Sequence, residues 1–161
     1  GLRFVFSNRS KLPEILDAAG APLHGGDYRF EPGRDEIVRE GDAGWIVSYG
    51  DMLHRSLHVV ETLRAEGISV GLVNKPTLNV VDEKMLARLG KAPFILVVES
   101  LNRRTGLGIR YGSWLLERGF APRYGHMGTT RPGNCGQVEQ IAHQRLASAD
   151  VEARVRELLA A

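Results

Sequence analysis

Short apolar runs alternate with longer segments of helical periodicity along most of this 161-residue chain. The runs predict buried strands at residues 2–6, 45–49, 68–73 and 94–98, and weaker strand candidates lie at 36–40 and 121–127. The run at 94–98 is the most hydrophobic. A continuous apolar run of this kind is typical of a central strand that is covered on both faces.

Helical patterns follow the strands. Leu53, Leu57 and Val60 share one helix face, with Asp51 as the expected N-terminal cap and Gly67 as the expected end. Further helices are predicted at 82–89 with Asp82 as cap, from 107 to 119, at 138–146, and from 150 onward. Strands that alternate with helices predict right-handed crossovers and a mostly parallel sheet between helical layers.

The first 34 residues follow a different pattern. Residues 20–33 hold four glycines and two prolines, which indicates an irregular linker. Too little chain precedes this linker to make a domain. We therefore expect residues 1–34 to be the end of a preceding unit plus a linker, and residues 35–161 to form one domain.

Composition and charge exclude several functions. The formal net charge is +2, so no basic surface for nucleic acid or for an anionic membrane is expected. Cys135 is the single cysteine, so no internal disulfide is possible and an oxidising compartment is not required. No apolar run reaches the roughly 18 residues of a membrane span. These features predict a cytoplasmic protein.

Two strand-to-helix turns resemble phosphate-binding motifs only in part. Residues 105–108 read Thr-Gly-Leu-Gly, which is half of a dinucleotide fingerprint, and close packing of a helix start explains it more simply. The turn Tyr49-Gly50-Asp51 would place a negative charge where an anion binds, so capping is the better interpretation.

Among the histidines, His54 and His58 could share a helix face, but a third metal ligand is lacking and two solvated side chains are the simpler reading. His126 lies near a strand end, where α/β domains often bind ligands, so it is a possible ligand-facing residue.

Residues 7–11 read Ser-Asn-Arg-Ser-Lys. Their cations and hydroxyls could receive a phosphate or carboxylate, although spacing alone favours a solvated turn.

Several segments, in order, are similar to parts of one known family. Residues 45–50 resemble a family strand that ends in a small residue and glycine, and 63–68 resemble the family's helix end before Gly-Ile. Residues 95–99 end in Val-Val-Glu, residues 105–108 match a glycine-rich turn, and residues 7–13 match the end of the preceding domain. Together they resemble the C-terminal domain of the transketolase superfamily.

The chain also departs from the family pattern. Asn8 is an extra residue before Arg9, Ser100 replaces a second acid, and Thr105 replaces a glycine. The loop before the second helix keeps Asp82 but lacks the family's proline.

The resemblance implies a fold: a three-layer α/β/α sandwich with a mostly parallel, about five-stranded mixed sheet. It implies that residues 1–34 end a pyrimidine-binding domain. It also implies an enzyme that transfers a two-carbon ketol unit with thiamine diphosphate and a divalent cation, Mg or Ca. On this reading the chain alone binds no cofactor or metal, is not catalytic, and serves dimer contact or partner docking. Arg9, and with it Lys11, would contact the substrate phosphate once the preceding domain is present.

The expected partners are the catalytic domains, on the same or a companion chain, in a homodimer or heterotetramer. The first alternative is the C-terminal domain of a 2-oxo acid dehydrogenase beta subunit, which binds an acyltransferase core or carrier protein. A second alternative is a flavodoxin-like ligand-binding module that uses the strand-end loops at Gly50, Lys75 and His126.

Overall fold

The computed structural model describes residues 4–5, 11–133 and 137–161. Within these ranges the strands are β1 (Glu36–Arg39), β2 (Gly44–Ser48), β3 (Val70–Asn74), β4 (Phe94–Asn102) and β5 (Arg123–Thr129). The helices are α1 (Gly50–Ala65), α2 (Glu83–Leu89), α3 (Leu107–Glu117), α4 (Gln137–His143) and α5 (Ser148–Ala160).

The strands form one mixed sheet in the order β1-β3-β2-β4-β5. Strands β3, β2, β4 and β5 are parallel, and β1 runs antiparallel along β3 with Glu36 opposite Asn74. The start of β1 therefore lies at the same edge of the sheet as the ends of the parallel strands. We call this the carboxyl edge.

Helices cover both faces of the sheet, which confirms the three-layer architecture. Ile46 points into the core shared with α1 and α5, while its neighbour Val47 points into the core shared with α2 and α3. Both side chains are fully buried. Complete burial of one such side chain stabilises the fold by about 1.5–3 kcal/mol, so the central strands must be apolar on both sides.

The strands predicted at 36–40, 45–49, 68–73, 94–98 and 121–127 are confirmed with small shifts of their ends. Strand β4 continues to Asn102 because its last residues pair with β5 beyond an irregularity, where Asn102 lies opposite Thr129. Phe4 and Val5 are exposed and lie in no strand. The rest of the strand predicted at 2–6 lies outside the described residues.

The expected caps have different outcomes. Asp51 does not cap α1: the helix follows Tyr49 directly, no side chain caps it, and Gly50 takes a φ of +59° that favours glycine. Asp51 instead adds a negative charge to the first turn. Asp82 does cap α2, since its carboxylate accepts a hydrogen bond from the Met85 amide at 3.0 Å.

A buried ion pair joins β1, β3 and the loop before α2. The Lys75 ammonium donates to Asp35 Oδ1 at 2.8 Å and to the Val80 carbonyl at 2.9 Å, and it lies 5.5 Å from the centre of the Trp114 ring. Lys75 is fully buried. Burial raises the pKa of Asp35 to about 6, while the bond from Lys75 opposes this rise. The pair secures the start of β1 at the carboxyl edge.

We expect Lys75→Met to lower the free energy of unfolding at pH 8 by about 3–5 kcal/mol, because a buried carboxylate is left without its cation. Without Lys75 the pKa of Asp35 rises further above its unfolded value of about 3.9. The folded variant therefore binds a proton more tightly than the unfolded chain, and its stability falls as the pH rises through the folded pKa. The loss measured by urea denaturation should thus be smaller at pH 5 than at pH 8.

The double variant Asp35→Asn/Lys75→Met is the matched control, since it carries neither charge. It should lose less stability than Lys75→Met and should show no such pH dependence. An equal loss at both pH values in Lys75→Met would contradict the assignment.

Candidate functional site

The carboxyl edge contains the point where the chain changes direction across the sheet. The chain passes from β2 to its neighbour β3 on one side, and from β4 to β5 on the other, so the reversal lies between β2 and β4. In open α/β sheets, ligands bind in the crevice outside such a point. A site is therefore expected among the residues near the carboxyl ends of β2 and β4.

This crevice is filled by the side chain of Glu99. Glu99 is fully buried, and its carboxylate accepts hydrogen bonds from the backbone amides of Leu107 and Gly108, each at 2.8 Å. Tyr49 is the residue after β2, and its hydroxyl donates a hydrogen bond to the Glu99 carboxylate at 2.9 Å. The negative carboxylate lies at the positive N-terminus of α3, where a bound phosphate would otherwise lie.

The glycines of residues 105–108 make this arrangement possible. A Cβ on Gly106 would lie 2.2 Å from Glu99 Oε2, and one on Gly108 would lie 2.6 Å from the Cβ of His126. The expectation that this turn serves close packing is confirmed. Its amides bind the chain's own carboxylate, and they are not available to a dinucleotide.

His126 lies on β5, beside the first turn of α3. Its side chain is partly buried, and its ring centre lies 6.1 Å from that of Tyr124. Burial, together with the positive charge of Arg103, lowers the pKa of His126 below its ordinary value. The histidine is therefore neutral at pH 7, and a role in facing a ligand stays a prediction.

The other residues singled out from the sequence are placed as follows. Lys75 is held in its buried ion pair and does not face solvent. Lys11 is exposed at the start of a segment that packs on the domain through Ile15, which is 8% exposed. Arg9 and Cys135 lie outside the described residues.

Sequence reasoning missed a cluster around Glu36. Its carboxylate accepts hydrogen bonds from His24 Nε2 at 3.0 Å, from Asn74 Nδ2 at 2.8 Å and from the Tyr28 hydroxyl. Partial burial alone would raise the pKa of Glu36, but these bonds lower it below its usual value. Burial and the bond to Glu36 raise the pKa of Tyr28 to about 12. The cluster ties the linker to the carboxyl edge.

A cleft of about 1,000 Å³ lies between the linker and α2. Cationic and anionic side chains line it together: Arg29, Arg34, Lys84 and Arg88 with Glu31, Glu36, Asp82 and Glu83. Several of these charges are paired with each other or with neighbours, for example Arg34 with Glu31 and Arg88 with Glu40. Because the side chains that line the cleft carry charges of both signs, the cleft has no uniformly positive surface that would select an anion.

The described residues do not fit the thiamine diphosphate and the divalent cation that the family resemblance implies for a full enzyme. No group of three or more histidine, cysteine, aspartate or glutamate side chains in this part of the chain could hold a metal ion. The amides of α3 that could receive a diphosphate already bind Glu99.

None of the helices in the described ranges is both long enough and apolar enough to cross a membrane.

We expect Glu99→Gln to lower the free energy of unfolding by about 2–3 kcal/mol, because a buried amide cannot match both N–H donors of α3 as a carboxylate does. Gly106→Ala should also destabilise the chain, because its methyl group displaces the Glu99 carboxylate. The double variant should lose less than the sum of the two single losses, since both disrupt one interaction.

Glu117→Gln is the control, because this carboxylate is exposed on α3 and lies 3.4 Å from Arg118. It should change stability by less than about 0.5 kcal/mol. Strictly additive losses for the Glu99 and Gly106 variants in chemical denaturation would contradict the coupling.

Residues 33–127 match the family described as "Transketolase, C-terminal domain". A transketolase family protein of Sinorhizobium fredii is 31% identical over 118 residues, which cover 71% of this chain and 32% of that protein. A pyruvate dehydrogenase E1 component subunit beta of Staphylococcus epidermidis is 29% identical over 93 residues, which cover 57% of this chain and 29% of that protein.

Among solved structures, a chain titled "Split gene transketolase, inactive beta4 tetramer" is 26% identical, with a TM-score of 0.83. The match covers 94% of this chain and 48% of that chain. This chain spans about a third of the length of these two curated relatives. Because the family match covers more than half of its residues, the chain belongs to the transketolase C-terminal domain family.

Proposed function

We propose that this chain is the C-terminal part of a thiamine diphosphate-dependent enzyme that transfers a two-carbon ketol unit. Its role is to contact the catalytic domains, on the same or a companion chain, within a homodimer or a heterotetramer. The full enzyme uses thiamine diphosphate with Mg or Ca, and domains outside this chain hold them. The proposal includes a cytoplasmic location, since a single cysteine gives no basis for disulfides.

One observation carries this proposal. The split-gene transketolase chain matches 94% of this protein at a TM-score of 0.83, so the likeness extends beyond residues 33–127 on both sides. That relative is named as a chain of a split enzyme. A division of the enzyme between two chains is therefore consistent with a protein that carries this domain.

The closed carboxyl edge supports a non-catalytic role for the chain alone. Glu99 occupies the N-terminus of α3, and Lys75 is neutralised by Asp35. In thiamine diphosphate enzymes the cofactor supplies the difficult carbanion chemistry. These observations support the proposal that other domains provide the residues that bind the cofactor.

Arg9 and Lys11 are the residues of this chain that we propose for contact with the substrate. The resemblance assigns the arginine of this segment to the phosphate of the sugar, and Lys11 is exposed. A guanidinium binds phosphate in a bidentate manner, and an ammonium adds a point charge. His126 is retained as a possible ligand-facing residue.

The second candidate is the C-terminal domain of a 2-oxo acid dehydrogenase beta subunit that docks on an acyltransferase core or a carrier protein. The identity of 29% with a pyruvate dehydrogenase beta subunit favours it. The transketolase family protein nevertheless aligns over more of this chain, 71% against 57%. Capture of a lipoyl-bearing acyltransferase core by the purified chain would favour the second candidate.

The purified chain is expected to show no ketol transfer from a ketose phosphate to an aldose phosphate when thiamine diphosphate and Mg²⁺ are supplied. Addition of the separate catalytic domains should produce both a stable complex in size-exclusion chromatography and activity. Ketol transfer by the chain alone would overturn the proposal.

In the assembled enzyme, Arg9→Ala should raise the KM for a phosphorylated donor at least about tenfold, because a charge-assisted hydrogen bond contributes about 1.5–3 kcal/mol. The KM for an unphosphorylated donor should change little. Arg110→Ala, an exposed position on α3, is the matched control and should leave both values unchanged. An equal rise for both donors would argue against phosphate contact.

A further inference from the structure

A small cavity lies between the N-terminal segment and the carboxyl edge. Its volume is about 280 Å³. Pro13, which precedes the linker, and Pro22, in the linker, line one side of it, and Leu53 lines it from α1. Ligand pockets commonly measure about 300–1,000 Å³ and are mostly apolar with a few polar groups. The cavity lies just below the lower end of this range, so it suits only a small molecule.

Two histidines from different parts of the chain line the cavity. His24 belongs to the linker, and its Nε2 is hydrogen-bonded to Glu36, which leaves Nδ1 for a further contact. His54 lies in the second turn of α1, and its ring has no hydrogen-bond partner within the described part of the chain. The cavity therefore contains imidazole nitrogens that can bond to a ligand.

The surrounding charges disfavour an anion. Burial lowers the pKa of His54, against the effect of nearby Asp51, so its ring is neutral at pH 7. The carboxylate of Glu14 lines the cavity, and that of Glu36 lies directly behind His24. A phosphate in the cavity would be repelled by these carboxylates without a compensating imidazolium at His54.

The same groups suit hydroxyls. A neutral imidazole can both donate and accept a hydrogen bond, and a carboxylate accepts from a hydroxyl. The proline and leucine side chains offer apolar surface to the C–H groups of a carbon chain. The cavity thus offers both hydrogen-bonding groups for hydroxyls and apolar surface for the carbons that carry them.

We propose that this cavity binds a small uncharged polyhydroxylated molecule through His24, His54 and Glu14. The inference goes beyond the proposed function, because the binding needs only residues of this chain. It is distinct from the phosphate contact assigned to Arg9 and Lys11, which requires the preceding domain.

The test is a titration of the 161-residue chain with xylitol, a neutral five-carbon polyol, followed by the imidazole signals in two-dimensional NMR. Inorganic phosphate is titrated separately at matched ionic strength. The signals of His24 and His54 should shift with xylitol in a saturable manner, and those of His58 and His126 should stay in place. Saturable shifts with phosphate alone, or no saturable shift with either probe, would overturn the proposal.

His54→Gln should weaken xylitol binding about fivefold to tenfold, as expected for the loss of one hydrogen bond. His58→Gln is the matched control, because His58 is an exposed histidine one turn further along α1 that does not line the cavity. Unchanged binding in a folded His54→Gln variant would contradict the assignment. The ketol-transfer assay of the assembled enzyme is independent of this outcome, so the two proposals can fail separately.

Discussion

The buried carboxylate of Glu99 is the interaction on which the arrangement of the carboxyl edge depends. It connects β4 with the N-terminus of α3 and with Tyr49 after β2, so three parts of the chain meet at one charged group. A buried charge is tolerated only when it is paired or fully hydrogen-bonded. The helix amides meet this need, and the small residue at Gly106 leaves space for the carboxylate.

Other carboxylates along the carboxyl edge also accept hydrogen bonds from groups of the same chain. Asp82 accepts hydrogen bonds from the Met85 and Asp35 amides, and the Asp35 side chain pairs with Lys75. Glu36 accepts hydrogen bonds from two side chains of the linker. In each case a carboxylate satisfies groups of the chain itself. An edge that binds a ligand in many α/β proteins is here used to secure loops.

Much of the fold could be predicted from the sequence. Residues 45–47 and 94–98 are apolar at every position, which is typical of strands covered on both faces. The helix stops at Gly67 and Gly90 are local in origin. The role of Asp51 was predicted wrongly, because Gly50 enters the helix with a positive φ and no side-chain cap is formed. A dihedral angle of one glycine is not encoded in a hydrophobic pattern.

The sequence by itself determined the order of strands and helices, the family, and the residues that must be buried, because periodicity and short motifs are local properties. Only the tertiary structure decided that Glu99 fills the crevice at α3. It also decided that His24 and Glu36 meet at the linker, and that His24 and His54 line one cavity. These contacts join residues distant in sequence, and the order of strands in the sheet brings them together.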